Sequence, residues 1–160
     1  MLRWHRAPHA SPWFDGEPQD LEGTEREYGP TLDGLEPTFM HAIEIDGRDV
    51  GYIQHYHVAS YPEYANALGI ENAAAIDYVI GDPEYVGRGY GPSIIRRYVE
   101  DFVLPAHPTI SCVLSSPSPE NARSIRALEK AGFRQLRTAR IVDQDERICV
   151  FEVSARRLVP

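Results

Sequence analysis

The sequence predicts an α/β (α+β) domain built on a mixed sheet with helices laid over it. Three observations carry that prediction. The first half is rich in strand-like runs and centres on a hairpin around Asp46-Gly47. A glycine-rich turn, "YVGRGYGPS" at 85–93, joins a short apolar run to an amphipathic helix. A second run-and-helix pair follows, and two further strand-like runs close the chain. Strands and helices in that order build a layered domain with a mixed sheet.

In chain order, "LRWHRA" (2–7) reads as a short first strand, after which Pro8 and Pro12 break regularity. "PWFDGEP" reads as a loop or single turn bearing exposed aromatics. "DLEGTEREYG" (20–29) is helical, with Gly29-Pro30 as its stop. "PTFMHAIEIDGRDVGYIQHYHVA" is the clearest hairpin, because Asp-Gly is a favoured two-residue turn. Residues 60–73 form a longer excursion, and "AAIDYVIG" (74–81) is a short buried strand. In "PSIIRRYVEDFVLP", Ile94, Tyr98 and Phe102 recur every four residues, which predicts a helix with Pro92 in its first turn and Pro105 and Pro108 as its end. "TISCVLS" is another buried strand. "SPENARSIRALEKAGF" is a helix with Ser118 as N-cap, Pro119 at the first helical position and Gly132 past the end. "FRQLRTARI" and "RICVFEVSA" supply the last strands.

A length of 160 residues suits one domain with a single core, 1–160. No apolar run is long enough to span a membrane, and the N-terminus lacks the apolar stretch of a secretory signal. Cys112 and Cys149 lie far apart in apolar runs and read as buried free thiols, which fits the cytoplasm. The net charge of −8 argues against nucleic acid, which demands clustered cationic side chains, and suits a small cationic partner. His55 and His57 are two ligands at most and predict no metal.

The glycine turn is the first chemical signal. Where a strand ends in such a turn and a helix begins, the unpaired N–H groups and the helix dipole form a seat for phosphate. Gly87, Gly89 and Gly91 would let a pyrophosphate approach, and Arg88 would add charge. The alternation is neither the dinucleotide fingerprint nor the Gly-Lys-Ser/Thr loop.

"VGRGYGPSII" resembles the acetyl-CoA loop of the GNAT superfamily of N-acetyltransferases, and "SPENARSIRALEKAGF" resembles a later segment of the same family, in the right order. "RAPHASPWFDGE", "DVGYIQHY" and the Ile-Asp of "AAIDYVIG" narrow the resemblance to bacterial aminoglycoside 6′-N-acetyltransferases. It implies a mostly antiparallel sheet of about six to seven strands, with a V-shaped split between two parallel central ones, "AAIDYVIG" and "TISCVLS". It implies acetyl-CoA as co-substrate, held by Val86, Gly87, Arg88, Gly89, Tyr90, Gly91 and Ser93, by backbone groups of Val79 and Ile80, and by Asn121. Asp77 is expected to bind the amine and take its proton, being an acidic residue in an apolar strand. The acceptor pocket is assigned to Trp13, Asp15, Glu17, Gln54, Tyr56, Glu63, Tyr64 and Ser116, with aromatic rings to stack on a sugar and carboxylates to hold ammonium groups.

Two departures stand out. Leu128 occupies the place where many family members carry a tyrosine able to protonate the leaving thiolate, and Ser116 stands where resistance enzymes can carry an aspartate. The expected function is acetyl transfer to the 6′-amine of an aminoglycoside. Acylation of a lysine-like siderophore precursor or another polyamine is the second reading, and a non-catalytic acyl-CoA sensor the third. Monomer and homodimer both remain open.

Overall fold

The computed structural model describes residues 1–14, 16–18, 20–141 and 144–153. It divides into two units: Met1–His55 with Asp77–Tyr90, and Tyr56–Ile76 with Gly91–Pro160.

The first unit begins with α1, Leu2–His5, where the sequence suggested a strand. "LRWHRA" has no β-branched residue to favour extended backbone, and one helical turn buries Trp4 and His5. Trp4 lies across Gly81, where any Cβ would come within 2.1 Å of the Trp4 Cβ. A short 3₁₀ turn, Ser11–Trp13, follows. Helix α2, Leu21–Leu32, is capped by the Asp20 carboxylate, which accepts the Gly23 N–H at 2.7 Å. It runs past the predicted stop with Pro30 inside it. A proline so near the end removes only one of the last helical bonds, and Leu35 N–H closes the turn on the Pro30 carbonyl. Strands β1, Thr38–Ile45, and β2, Arg48–His57, form the expected hairpin, with positive φ at both Asp46 and Gly47. That pair of dihedrals is the turn whose twist matches its strands. Trp4, Ala7, Ala10, Tyr52 and Val79 are among the core residues of this unit.

Strand β3, Ala73–Ile80, enters both units. In the second unit it pairs in parallel with β4, Cys112–Ser115, through Ala73↔Cys112, Ala74↔Val113 and Ala75↔Leu114. Strand β6, Gln144–Glu152, runs antiparallel to β4 and to β5, Arg134–Ile141. The sheet order is β1-β2-β3-β4-β6-β5, a mixed sheet of six strands.

The 60–73 excursion contains α3, Pro62–Leu68, ended by Gly69. The helix after the glycines, α4, starts at Tyr90 and runs to Tyr98. It then widens into a π turn, Val99–Val103, and continues as α5, Leu104–Ala106, through the proline expected to stop it. Pro105 has no N–H and crowds the preceding turn, and a π turn is where a helix absorbs such a mismatch. Helix α6, Ala122–Ala131, is capped by Asn121 rather than Ser118. Ser118 instead organises a preceding turn, its carbonyl accepting the Asn121 N–H at 2.9 Å. Gly132 ends α6 in the left-handed conformation, as predicted. Val58, Leu68, Leu114, Ile148 and Val150 are among the core residues of this unit. Cys112 and Cys149 are buried free thiols, as expected.

Gly51 sets the spacing of β2 against β3, since a Cβ there would fall 1.9 Å from the Val79 carbonyl oxygen. Gly51→Ala is expected to destabilise the protein by about 3 kcal/mol, the upper range for overpacking. Urea unfolding measures it, with Gly47→Ala, which meets no neighbour within 4 Å, as the control for backbone strain alone.

Candidate active site

In the first unit, β3 carries Asp77 half-buried, with Val79 nearly fully buried. A carboxylate among such neighbours needs a donor, and Gln54 on β2 supplies one, its Nε2 donating to Asp77 Oδ2 at 3.2 Å. Two residues before Gln54, and so on the same strand face, stands Tyr52. Burial raises its phenol above the ordinary range, and the charges of Asp77 and Glu17 raise it further. The two carboxylates assigned to the amine therefore act on one hydroxyl.

Glu17 is reached through a second tyrosine. Tyr28, on α2, donates its hydroxyl to Glu17 Oε2 at 2.6 Å. Burial, first, and the neighbouring Tyr52 and Glu17 keep the Tyr28 phenol protonated. At the other end, His5 Nε2 lies 3.0 Å from the Tyr52 hydroxyl, and the His5 ring stacks on Phe14 at 4.4 Å. A polar cleft of about 380 Å³ opens beside Glu17, lined also by Asp20, Arg26 and Glu27. Trp13 is 40% exposed on its 3₁₀ turn. Asp15 lies outside the described residues.

The glycine-rich turn begins in the same unit. Asp82 accepts the Glu84 N–H and opens a turn at Pro83–Tyr85. Val86 is extended, and Gly87 and Gly89 adopt φ of 78° and 85°. Only those two of the three alternating glycines need the left-handed region. They turn the chain into α4, which starts at Tyr90 with its first N–H groups unpaired within the helix. Arg88 lies over the Tyr85 ring at 5.9 Å, and the Tyr85 and Tyr90 rings are 6.1 Å apart. The Ile80 carbonyl, expected to serve the cofactor, already accepts His9 Nε2 at 2.9 Å.

In the second unit, Gly91 and Ser93 belong to the first turn of α4, and Ser93 is exposed. Gly91 is helical there and a Cβ would make only an ordinary contact with Ala127, at 3.5 Å. Tyr64 and Ser116 are joined, hydroxyl to hydroxyl, at 2.8 Å. Tyr56 packs edge-on against Tyr64 and Tyr61, at 6.2 and 4.9 Å. Glu63 is exposed on the first turn of α3, next to Tyr64 in the chain. Asn121 Oδ1 accepts the Ser124 N–H at 3.1 Å, and Leu128 is fully buried in the helix face beneath it. Among the described residues no group of three or more His, Cys, Asp or Glu side chains is placed to hold a metal ion, and no helix is long and apolar enough to cross a membrane. His55 is buried and stacked with His41, while His57 Nδ1 accepts the Ala59 N–H.

Sequence reasoning missed Tyr28, Tyr52, Tyr61, His5 and His9. Tyr52 had a usable signal, its period-two relation to Gln54 on a predicted strand. His5 had none, since its partner lies 47 residues away.

A mixed sheet with a parallel β3–β4 pair, and a glycine turn that opens a helix, are the features the sequence predicts for an acetyl-CoA enzyme. Residues 1–141 match the family described as acetyltransferase (GNAT) domain, and the chain belongs to that family of acetyl-CoA-dependent N-acetyltransferases. Among its relatives is the aminoglycoside N(6′)-acetyltransferase type 1 of Klebsiella pneumoniae, 27% identical over 146 residues, spanning 89% of this chain and 72% of that one. A kanamycin resistance protein of Rhizobium radiobacter is 35% identical over 68 residues, 42% of this chain and 61% of that one. The fold is shared with an aminoglycoside acetyltransferase solved with coenzyme A, at a TM-score of 0.83 and 24% identity over 98% of this chain and 88% of that one. It is shared as well with an aminoglycoside N(6′)-acetyltransferase of Legionella pneumophila, at 0.68 and 20% over 94% and 83%.

His5 provides a pH prediction. Burial lowers its pKa from 6.5 to about 4. The unfolded chain therefore takes up this proton before the folded one does as pH falls. The stability from neutral His5 is fully present above pH 6.5 and is lost as pH falls toward about 4. Urea unfolding across that interval is expected to show a shallower loss in His5→Gln than in the parent protein.

Proposed function

We propose that this chain acetylates the 6′-amino group of an aminoglycoside, with Asp77 as the group that receives the amine's proton. The observation that carries the reading is the Asp77 carboxylate, set in an apolar strand, steadied by Gln54 and sharing the Tyr52 hydroxyl's field with Glu17. Two such carboxylates favour a cationic acceptor. The names of the relatives point to the same substrate class.

The chemistry asks little else of the protein. Asp77 removes the proton that blocks the amine's lone pair. Glu17 attracts the acceptor's ammonium groups, Trp13 and Tyr64 offer faces for sugar rings, and Gln54, Tyr56, Glu63 and Ser116 complete the acceptor set. The residues present fit acetyl-CoA, which supplies the activated acetyl group. Gly87 and Gly89 carry no Cβ against a pyrophosphate, and the α4 N-terminus offers N–H groups to it. Val86, Arg88, Tyr90, Gly91 and Ser93 belong to the same cradle. Val79 and Ile80 offer backbone groups to the pantetheine, and the Asn121 amide can donate while its oxygen caps α6. Leu128 brings no hydroxyl to the leaving thiolate, which is a good enough leaving group to depart without one. Buried thiols and an acetyl-CoA donor suit a cytoplasmic enzyme.

Release of the CoA thiol against a panel of amines tests the reading. Turnover is expected with aminoglycosides bearing a 6′-amine and not with matched 6′-hydroxyl compounds, whereas turnover with lysine-type amines alone would move the substrate. Asp77→Asn is expected to lower kcat by about 10²–10⁴, the usual share of a general base. Its affinity for acetyl-CoA, by calorimetry, should match the parent's, and undiminished turnover would remove Asp77 from the role.

A further inference from the structure

The end of β3 is held from two sides. The peptide joining Ile80 to Gly81 gives its N–H to the Val50 carbonyl of β2 at 2.8 Å, and the Asp82 N–H reaches the same carbonyl at 2.9 Å. In a trans peptide the C=O points opposite to the N–H, so the Ile80 carbonyl is turned away from β2. There it meets His9 Nε2 at 2.9 Å. A carbonyl oxygen can only accept, so the imidazole donates and carries a hydrogen on Nε2. A bond at the N–H end alone would let the peptide plane rock, and a bond at each end fixes it. The segment that brings His9 is seated on the same strand ends, for Arg3 donates to the Asp49 carbonyl at 3.1 Å and Trp4 lies across Gly81. Hydrogen bonds then follow one another from the fixed peptide into the glycine turn. The Asp82 carboxylate accepts the Glu84 N–H at 3.0 Å, and the Asp82 and Pro83 carbonyls accept those of Tyr85 and Val86. Gly87 and Gly89, with their positive φ, stand at the end of that series.

We propose that His9 is a positioning residue for acetyl-CoA: by fixing the Ile80–Gly81 peptide it sets the direction in which the glycine turn leaves β3, and so where the N–H groups of that turn stand. The inference rests on the reading of Gly87 and Gly89 as the seat of the pyrophosphate, and it is independent of which amine is the acceptor. An anion seat made of backbone N–H groups has no long side chain that can reach out to correct its aim. Its affinity therefore depends on how well the backbone is placed before the ligand arrives. His9 and Ile80 are 71 residues apart in the chain, so the seat is complete only when the N-terminal segment has docked on β3.

Calorimetric titration of the free protein with acetyl-CoA, in the absence of any amine, tests the role. A loss of stability alone leaves the affinity of the folded molecules unchanged, so the dissociation constant separates positioning from simple support. His9→Phe keeps a ring and removes the donor. It is expected to weaken acetyl-CoA binding about fivefold, the worth of one hydrogen bond. His9→Gln offers an amide N–H at nearly the reach of Nε2 and should bind within about twofold of the parent. His9→Leu should match His9→Phe, and it keeps the test decisive if that variant does not fold. Gly89→Ala puts a methyl group into the open space of the turn and should weaken binding in its own right. Unchanged affinity in both His9→Phe and His9→Leu, with Gly89→Ala weakened, would overturn this inference alone. Equal losses in His9→Gln and His9→Phe would overturn it as well, because one keeps the donor and the other lacks it. Unchanged affinity in Gly89→Ala, or no binding by the parent, would overturn the reading of the turn and this inference together.

Discussion

An ionised side chain in an apolar strand must be held, and in this protein Gln54 holds Asp77. The rest of the first unit can be read as what makes that bond possible. The Asp46-Gly47 turn fixes the register of β2 and so decides which of its side chains share a face. Gly51 lets β2 approach the Val79 carbonyl more closely than any side chain would allow. Gln54 follows three residues later and meets the carboxylate. A one-residue slip in the hairpin would turn Gln54 away from the carboxylate.

The glycine turn and the tyrosine cluster make different demands on the chain. The turn uses backbone: two glycines with positive φ and a helix start. The cluster uses side chains. Ser116 is tied to Tyr64 at 2.8 Å. The position serves to fasten α3 to the end of β4 rather than to present a carboxylate. Leu128 likewise contributes volume to a helix face and no polar group.

Features with local causes were legible in the sequence. The hairpin, β3, the glycine turn and the Gly132 helix end each depend on dihedrals or periodicity within a few residues. Errors arose where a distant partner decides the outcome. "LRWHRA" folds as a helical turn because Trp4 has Gly81 to lie on, and nothing near residue 4 announces that. Pro105 failed as a stop because a π turn ahead of it took up the strain. Asp77 and Gln54, both named from the resemblance, are joined by a hydrogen bond. The His5–Tyr52 and Tyr28–Glu17 contacts were not legible, since these residues come from a helical turn, a strand, a helix and a loop.

The placement of the two cysteines has a practical side. On the β4–β6 ladder Cys149 faces Ser115 and Cys112 faces Glu152, so the sulfurs are out of register for each other. Burial raises both thiols, that of Cys149 to about 11, which leaves almost no thiolate at neutral pH. A chromogenic thiol reagent mixed with the working protein would therefore colour only with the coenzyme it liberates, giving a continuous optical record with a near-zero background.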